Sequence, residues 1–245
     1  MNPLILSIET ATMGGGVCLS KGGTILAAVA GDATLSHSNT LLSDINSCLQ
    51  QAGASISEVQ LFAAACGPGS FTGLRIGLAT IKGLATSLER PCIGVPTLHA
   101  IAHSAGLSQH TVSLLPAGRG EVFVQSLSVS AGHVSELDSA AHLPPARAID
   151  RYETQSTLKW VGAAASLHRD LLESTAQRQG IDFQVVARSE SEISNRCWLL
   201  VAGKTILAKH VAAIAWQNFQ VGKVEEAETL SAIYVRPSDA ELKCN

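Results

Sequence analysis

The chain has 245 residues, 46% of them hydrophobic and only 15% charged, and its 17 basic and 20 acidic side chains leave a formal net charge of −3. The apolar content suffices for one large domain or two small lobes that fold unaided, and so few charges among so much glycine and alanine exclude a disordered tail or linker. There is no net positive charge to hold a polyphosphate backbone at physiological salt, so any service to nucleic acid is expected to run through a partner that does the gripping.

The N-terminus, Met1-Asn2-Pro3-Leu4-Ile5-Leu6-Ser7-Ile8-Glu9, has no basic segment and turns acidic after a few apolar residues, unlike a signal peptide. No stretch reaches the roughly 18 apolar residues of a membrane span. The expectation is a cytoplasmic protein without membrane contact. Leu4 to Glu9, Gly16 to Ser20 and Thr24 to Ala30 read as short strands, turned at Gly14-Gly15 and at Lys21-Gly22-Gly23 into an antiparallel meander. Ser36 or Ser38 caps a helix that carries Leu41, Leu42, Ile45, Leu49 and Ala52 at helical spacing, and Gly53 ends it in the left-handed conformation. Leu61 to Cys66 is apolar throughout and reads as a central strand. It runs through Gly67-Pro68-Gly69-Ser70-Phe71-Thr72-Gly73 into a second helix marked by Leu74, Leu78, Ile81, Ala85 and Leu88. Cys92 to Val95, stopped by Pro96, is the next strand.

Farther along, Val112 to Leu115, Glu121 to Val129 and Leu158 to Gly162 read as strands, followed by a helix from Ala163 to about Gln177, a strand from Phe183 to Ala187 and a helix from Ile206 to Phe219. Pro144-Pro145 and Gly180 punctuate this half. Strands followed by alternating helices and strands occur once clearly and once weakly, the order expected of a duplicated actin-like or sugar-kinase-like α/β fold. Cys18, Cys48, Cys66, Cys92, Cys197 and Cys244 form no C-x-x-C pair, and several lie in apolar runs, so they read as buried, reduced thiols.

The loop from Gly67 to Gly73 joins a buried strand to a helix N-terminus, where free N–H groups and the helix dipole favour an anion. It is not a Walker A loop, since no Lys follows Gly73, nor the dinucleotide fingerprint, since Thr72 takes the third glycine position. It is not a nucleophile elbow either, because the G-x-S-x-G frame around Ser70 is missing. Chemistry alone leaves two readings open: a structural strand–helix turn, or a phosphate or nucleotide contact.

As a longer string, Gly67-Pro68-Gly69-Ser70-Phe71-Thr72-Gly73-Leu74-Arg75-Ile76-Gly77 resembles the signature of the TsaB (YeaZ) family almost letter for letter. Ile8-Glu9-Thr10-Ala11-Thr12, His37, Ile93-Gly94-Val95-Pro96-Thr97-Leu98, Gly120-Glu121-Val122-Phe123 and the run from Tyr234 to Glu241 add to the resemblance, which is dense in the first 125 positions and thin from about 130 to 225. It implies an actin-like (ASKHA, ribonuclease H-like) two-lobe fold, each lobe a mixed sheet with helices: a partner-binding lobe over 1–104 and a smaller lobe with a tail over 105–245. It further implies a non-catalytic subunit that dimerises with the homologous TsaD, joins the ATPase TsaE in a ternary complex, and serves threonylcarbamoyladenosine modification of tRNA. In that picture tRNA is reached only through the complex, and ATP and metal sit on the partner subunits. This chain alone then binds no cofactor, has no catalytic residues, and self-associates when TsaD is absent. Two departures stand out. Pro116-Ala117-Gly118, with Arg119 one place later, replaces the family's Asp-Ala-Arg, and Glu9 stands where an Asp is common. The alternatives are a stand-alone actin-like ATP-dependent phosphotransferase or, less in keeping with the residues, a metallopeptidase.

Glu9, Thr10, Thr12, Gly67, Gly69 and Ser70 are the candidates for a nucleotide or phosphate cleft, read as vestigial because no nearby Lys or Arg neutralises a polyphosphate. His99 and His103 stand at i and i+4 on one helix, but Ala100 replaces the zincin Glu and no third ligand is identifiable, so no metal site is expected. The TsaD metal pair aligns instead with Thr97 and Ile101, where both ligands are missing. Between Ala33 and Leu74 the only charged residues are Asp44 and Glu58, so the two helices there are either buried or a protein interface. The interface is preferred, with Leu41, Leu42, Ile45, Gly73, Arg75, Gly77, Leu78 and Ile81 as its residues.

Overall fold

The computed structural model describes residues 2–131, 133–187, 196–203 and 205–235. Strands β1 (Leu4–Glu9), β2 (Gly16–Lys21) and β3 (Thr24–Ala30) form the expected meander, and β4 (Leu61–Gly67) and β5 (Cys92–Pro96) extend it in parallel into a sheet of order β3-β2-β1-β4-β5. The central strands β1 and β4 are buried almost throughout, which is why they read as unbroken apolar runs rather than alternating ones. Helices α1 (His37–Ala52) and α2 (Phe71–Ser87) cover one face, with Leu41, Ile45, Leu78 and Ile81 set against Leu6, Ile8, Val17 and Phe62. Gly53, at a φ of +64°, ends α1 as expected: its N–H bonds the Gln50 carbonyl while Ala54 N–H reaches Leu49.

After the short α3 (Thr97–Ser104), a second sheet repeats the pattern. It contains β6 (Ser108–Gly118), β7 (Glu121–Ser130), β8 (His133–Glu136), β9 (Ala141–Leu143), β10 (Leu158–Val161), β11 (Asp182–Val186) and β12 (Cys197–Val201), in the order β11-β12-β10-β6-β7-β8, with β9 also on β7. Its β8-β7-β6-β10-β12 stretch has the order and directions of β3-β2-β1-β4-β5, with β11 added at the edge. Helices α4 (Pro145–Asp150), α5 (Ala163–Leu167) and α6 (Arg169–Arg178) accompany it. The single helix expected from Ala163 to Gln177 is thus two, broken where His168 leaves helical geometry at φ −105° and ψ 29°. At the β6–β7 tip, Gly118, Arg119 and Gly120 all have positive φ, so Arg119 sits on the hairpin turn.

Lys159, on β10, is wholly buried. It donates to the carbonyls of Leu107 at 2.7 Å and Ala105 at 3.3 Å, tying the exit of α3 to β10. Lys159→Met should cost about 1–3 kcal/mol in urea unfolding, because at least one buried carbonyl loses its donor. Burial also lowers the Lys159 pKa below its usual 10.5. The folded chain therefore holds this proton less tightly than the unfolded one, and stability should rise with pH through the window that ends at 10.5. The Met variant should lack that rise.

The last helix, α7 (Leu207–Gln220), corrects the expected division at residue 104. The compact units are residues up to Ala100 together with Ile206–Ile233, and Ile101–Thr205 together with the residues from Tyr234 on. The physical cause is the uncovered face of the first sheet. Ala208 and Ala212 meet Cys18 there, Ser7 Oγ donates to the Ala208 carbonyl at 2.8 Å, and Ile206 fills the notch beside Gly16. Beyond α7 the chain runs along β5: Glu225 exchanges both backbone hydrogen bonds with Cys92 and takes the Gly94 N–H on its carboxylate, while Leu230 occupies the space a side chain at Gly94 would need. Cys18, Cys48, Cys66, Cys92 and Cys197 are free and buried, and burial pushes the Cys18 and Cys66 thiols up to about 12. Cys244 and the C-terminal landmark from Arg236 to Glu241 lie outside the described residues.

Candidate functional site

Glu9 ends β1, and the chain turns at once. Its carboxylate, 1% exposed, accepts the Thr12 N–H at 2.7 Å and the Thr12 hydroxyl at 2.6 Å, with the Ala11 N–H as a further donor. Burial pushes the Glu9 pKa up, opposed by those hydrogen bonds and by His37. His37, the first residue of α1, brings Nε2 to 3.0 Å from the Thr12 carbonyl, its ring filling space kept open by Gly15.

This turn rests on the glycine loop. Thr10 Oγ1 donates to the Gly73 carbonyl at 2.8 Å, and the Ala11 carbonyl takes the Ser70 N–H at 2.8 Å. Ser70 caps α2, its hydroxyl accepting the Gly73 N–H at 3.2 Å. The spacing of four in Gly69, Gly73 and Gly77 follows from the same contact. A Cβ at Gly69 would stand 2.5 Å from the Ala11 carbonyl oxygen, one at Gly73 would clash with the Thr10 carbonyl, and one at Gly77 with the Thr10 hydroxyl. The positive φ of Gly67 serves the close passage of the Ile233 carbonyl. The fold thus brings together Glu9, Thr10, Thr12, Gly69 and Ser70 of the residues named for a phosphate cleft, while Gly67 packs against Ile233, and it spends the polar groups described above on one another. Ala11 and His37 stand among the residues that carry the family resemblance but not among those named for the cleft, because a backbone carbonyl at Ala11 and a ring 25 positions beyond Thr12 leave no local motif.

The proposed interface set divides. Leu41, Ile45, Gly73, Gly77, Leu78 and Ile81 are buried in this chain's own core, a correction to their place on a partner surface. What comes close at both glycines is Thr10 of the same chain, with its carbonyl at Gly73 and its side-chain hydroxyl at Gly77. Leu42, 71% exposed, and Arg75, whose guanidinium lies 3.9 Å from the centre of the Phe71 ring, face outward. His99 and His103 fall on α3, and burial lowers the His103 pKa. Among the described residues no group of His, Cys, Asp and Glu is arranged to hold a metal ion, and no helix is long and apolar enough to cross a membrane.

Two sheets of one strand order, each layered with helices, make this an actin-like (ASKHA, ribonuclease H-like) α/β protein. YeaZ from Pseudomonas aeruginosa has the same fold, with a TM-score of 0.74 at 22% identity over 95% of this chain and 99% of that one. The chain belongs to the family described as TsaD: tRNA N6-adenosine threonylcarbamoyltransferase, whose model matches residues 29–236, and within it the chain groups with the TsaB (YeaZ) proteins. It is 28% identical to the tRNA threonylcarbamoyladenosine biosynthesis protein TsaB of Escherichia coli over 87% of this chain and 94% of that one. The TsaB of Bacillus subtilis is 25% identical over 72% of this chain and 78% of its own. A tRNA N6-adenosine threonylcarbamoyltransferase of Chelativorans is 28% identical over 62% of this chain, which spans only 36% of that enzyme.

Proposed function

We propose that the chain is a non-catalytic subunit in threonylcarbamoyladenosine modification of tRNA, which dimerises with TsaD, works with TsaE, and reaches tRNA only through that complex. ATP and metal belong to the partner subunits. The observation that carries this reading is the closed glycine loop, where Glu9, Thr10, Thr12, Ser70 and Gly73 bond one another. The outward faces of α1 and α2 supply the docking surface. Around Leu42 and Arg75 they also carry Ser43, Asn46, Ala79 and Gly83, all exposed and uncharged, the composition of an interface rather than of a solvated helix pair. The same surface serves self-association when TsaD is absent.

The competing phosphotransferase needs cations positioned around a transferring phosphoryl group, and the segment from Ala33 to Leu74 has no Lys or Arg. Reconstitution separates the two. The purified chain should hydrolyse ATP no faster than a blank, should co-elute with TsaD, and should be required, along with TsaE, for modification of tRNA. ATP turnover by the purified parent that disappears in Glu9→Ala would instead establish an active site at the turn.

A further inference from the structure

The turn after β1 has the chemistry of a binding site that is already full. The N–H groups of Ala11 and Thr12 and the hydroxyl of Thr12 converge on one carboxylate, the Thr12 N–H on its Oε1 and the hydroxyl on its Oε2, and successive N–H groups in a turn make a concavity suited to an anion. The two Thr12 bonds, 2.7 Å from nitrogen and 2.6 Å from oxygen, have the lengths of charge-assisted hydrogen bonds. What they hold is a carboxylate with almost no exposure to water, supplied from the strand that leads into the turn.

We infer that this turn is an oxyanion site whose resident anion is the chain's own Glu9 carboxylate, and that on removal of that group the site accepts a free carboxylate of acetate size. Tethering gives Glu9 an effective concentration that a free anion at ordinary levels does not match, so the site stays filled in the parent chain. The resident carboxylate also has a mechanical consequence. With its oxygens on Thr12, the turn is fixed in the shape that lets Thr10 reach the Gly73 carbonyl and Ala11 take the Ser70 N–H. Glu9 is therefore a positioning residue that keeps the glycine loop closed. This holds for the chain on its own, independently of any subunit role.

Glu9→Ala removes a CH2–COO⁻ unit and so vacates the volume of one acetate. Thermal unfolding of the full chain, parent and variant, is compared in chloride, acetate and acetamide at ~0.1 M and matched ionic strength, at pH ~7.5. Acetate should raise the melting temperature of Glu9→Ala by roughly 3–5 °C over chloride. Acetamide, of similar shape but neutral, should not, and the parent should respond equally to all three. Adding Thr12→Val should weaken the acetate effect several-fold. If Glu9→Ala does not refold in chloride, the yield of folded chain in acetate against chloride reads the same competition. Equal effects of acetamide and acetate, equal effects of acetate on parent and variant, or no gain with acetate by either measure would each overturn the inference. None of these results bears on co-elution with TsaD, so the two proposals fail separately.

Discussion

Gly73→Ala is expected to lower the melting temperature by roughly 5–10 °C, whereas Gly83→Ala, ten residues along the same helix, should raise it. Both substitutions improve helix propensity by up to about 1 kcal/mol. They differ in what the new methyl group meets. At Gly83 nothing lies within 4 Å, so the gain is kept. At Gly73 the methyl group enters the space of the Thr10 carbonyl, and the atom in the way is backbone, with no rotamer to escape into. Overpacking costs about 1–3 kcal/mol and more where the neighbour is rigid, and in a chain of this size each kcal/mol moves the midpoint by roughly 2–4 °C. Scanning calorimetry of the two variants reads both signs. A Gly73→Ala chain as stable as the parent would mean that the turn does not rest on α2 as described.

The second large effect concerns partner binding. Leu42→Arg should leave the melting temperature almost unchanged, because the side chain is 71% exposed and surface changes of this kind stay within about 0.5 kcal/mol. Against TsaD the same variant should bind some 100- to 1000-fold more weakly in calorimetry, since an unpaired guanidinium buried in an apolar seam costs several kcal/mol. Parental affinity would remove the α1 surface from the interface. Gly77→Arg, at a position that sequence spacing singles out, would test nothing of the kind, because Gly77 faces Thr10 and the variant should fail to fold.

Most of the first half was legible because its rules are local. Strand boundaries follow from Gly14-Gly15 and Gly22-Gly23, and the end of α1 from Gly53. In the second half the signals fade. Cys197–Val201 is a run of five apolar residues buried on both faces, a pattern that periodicity does not separate from a piece of helix. Likewise, no Gly or Pro marks the break at His168. For the site, the residues that meet could be named from the sequence, but not what they do on meeting. Gly69, Gly73 and Gly77 suit a phosphate, a partner helix or a turn of the same chain equally well, and only the position of Thr10 and Ala11 decides among them. The division of the chain has no local signal because α7 carries its apolar face back to a sheet that ends at Pro96, more than 100 residues before the helix begins.

That return has a consequence for how the protein is made. Ile101–Thr205, the larger segment of the second unit, is continuous and has left the ribosome before any of Ile206–Ile233 is made. The first sheet is synthesised earlier but stays bare on the Ser7 and Cys18 face, and open along the β5 edge, until Ile206–Ile233 has emerged. The N-terminal sheet is therefore begun first and covered late, and for most of translation its uncovered strands are the surface that a chaperone would have reason to shield.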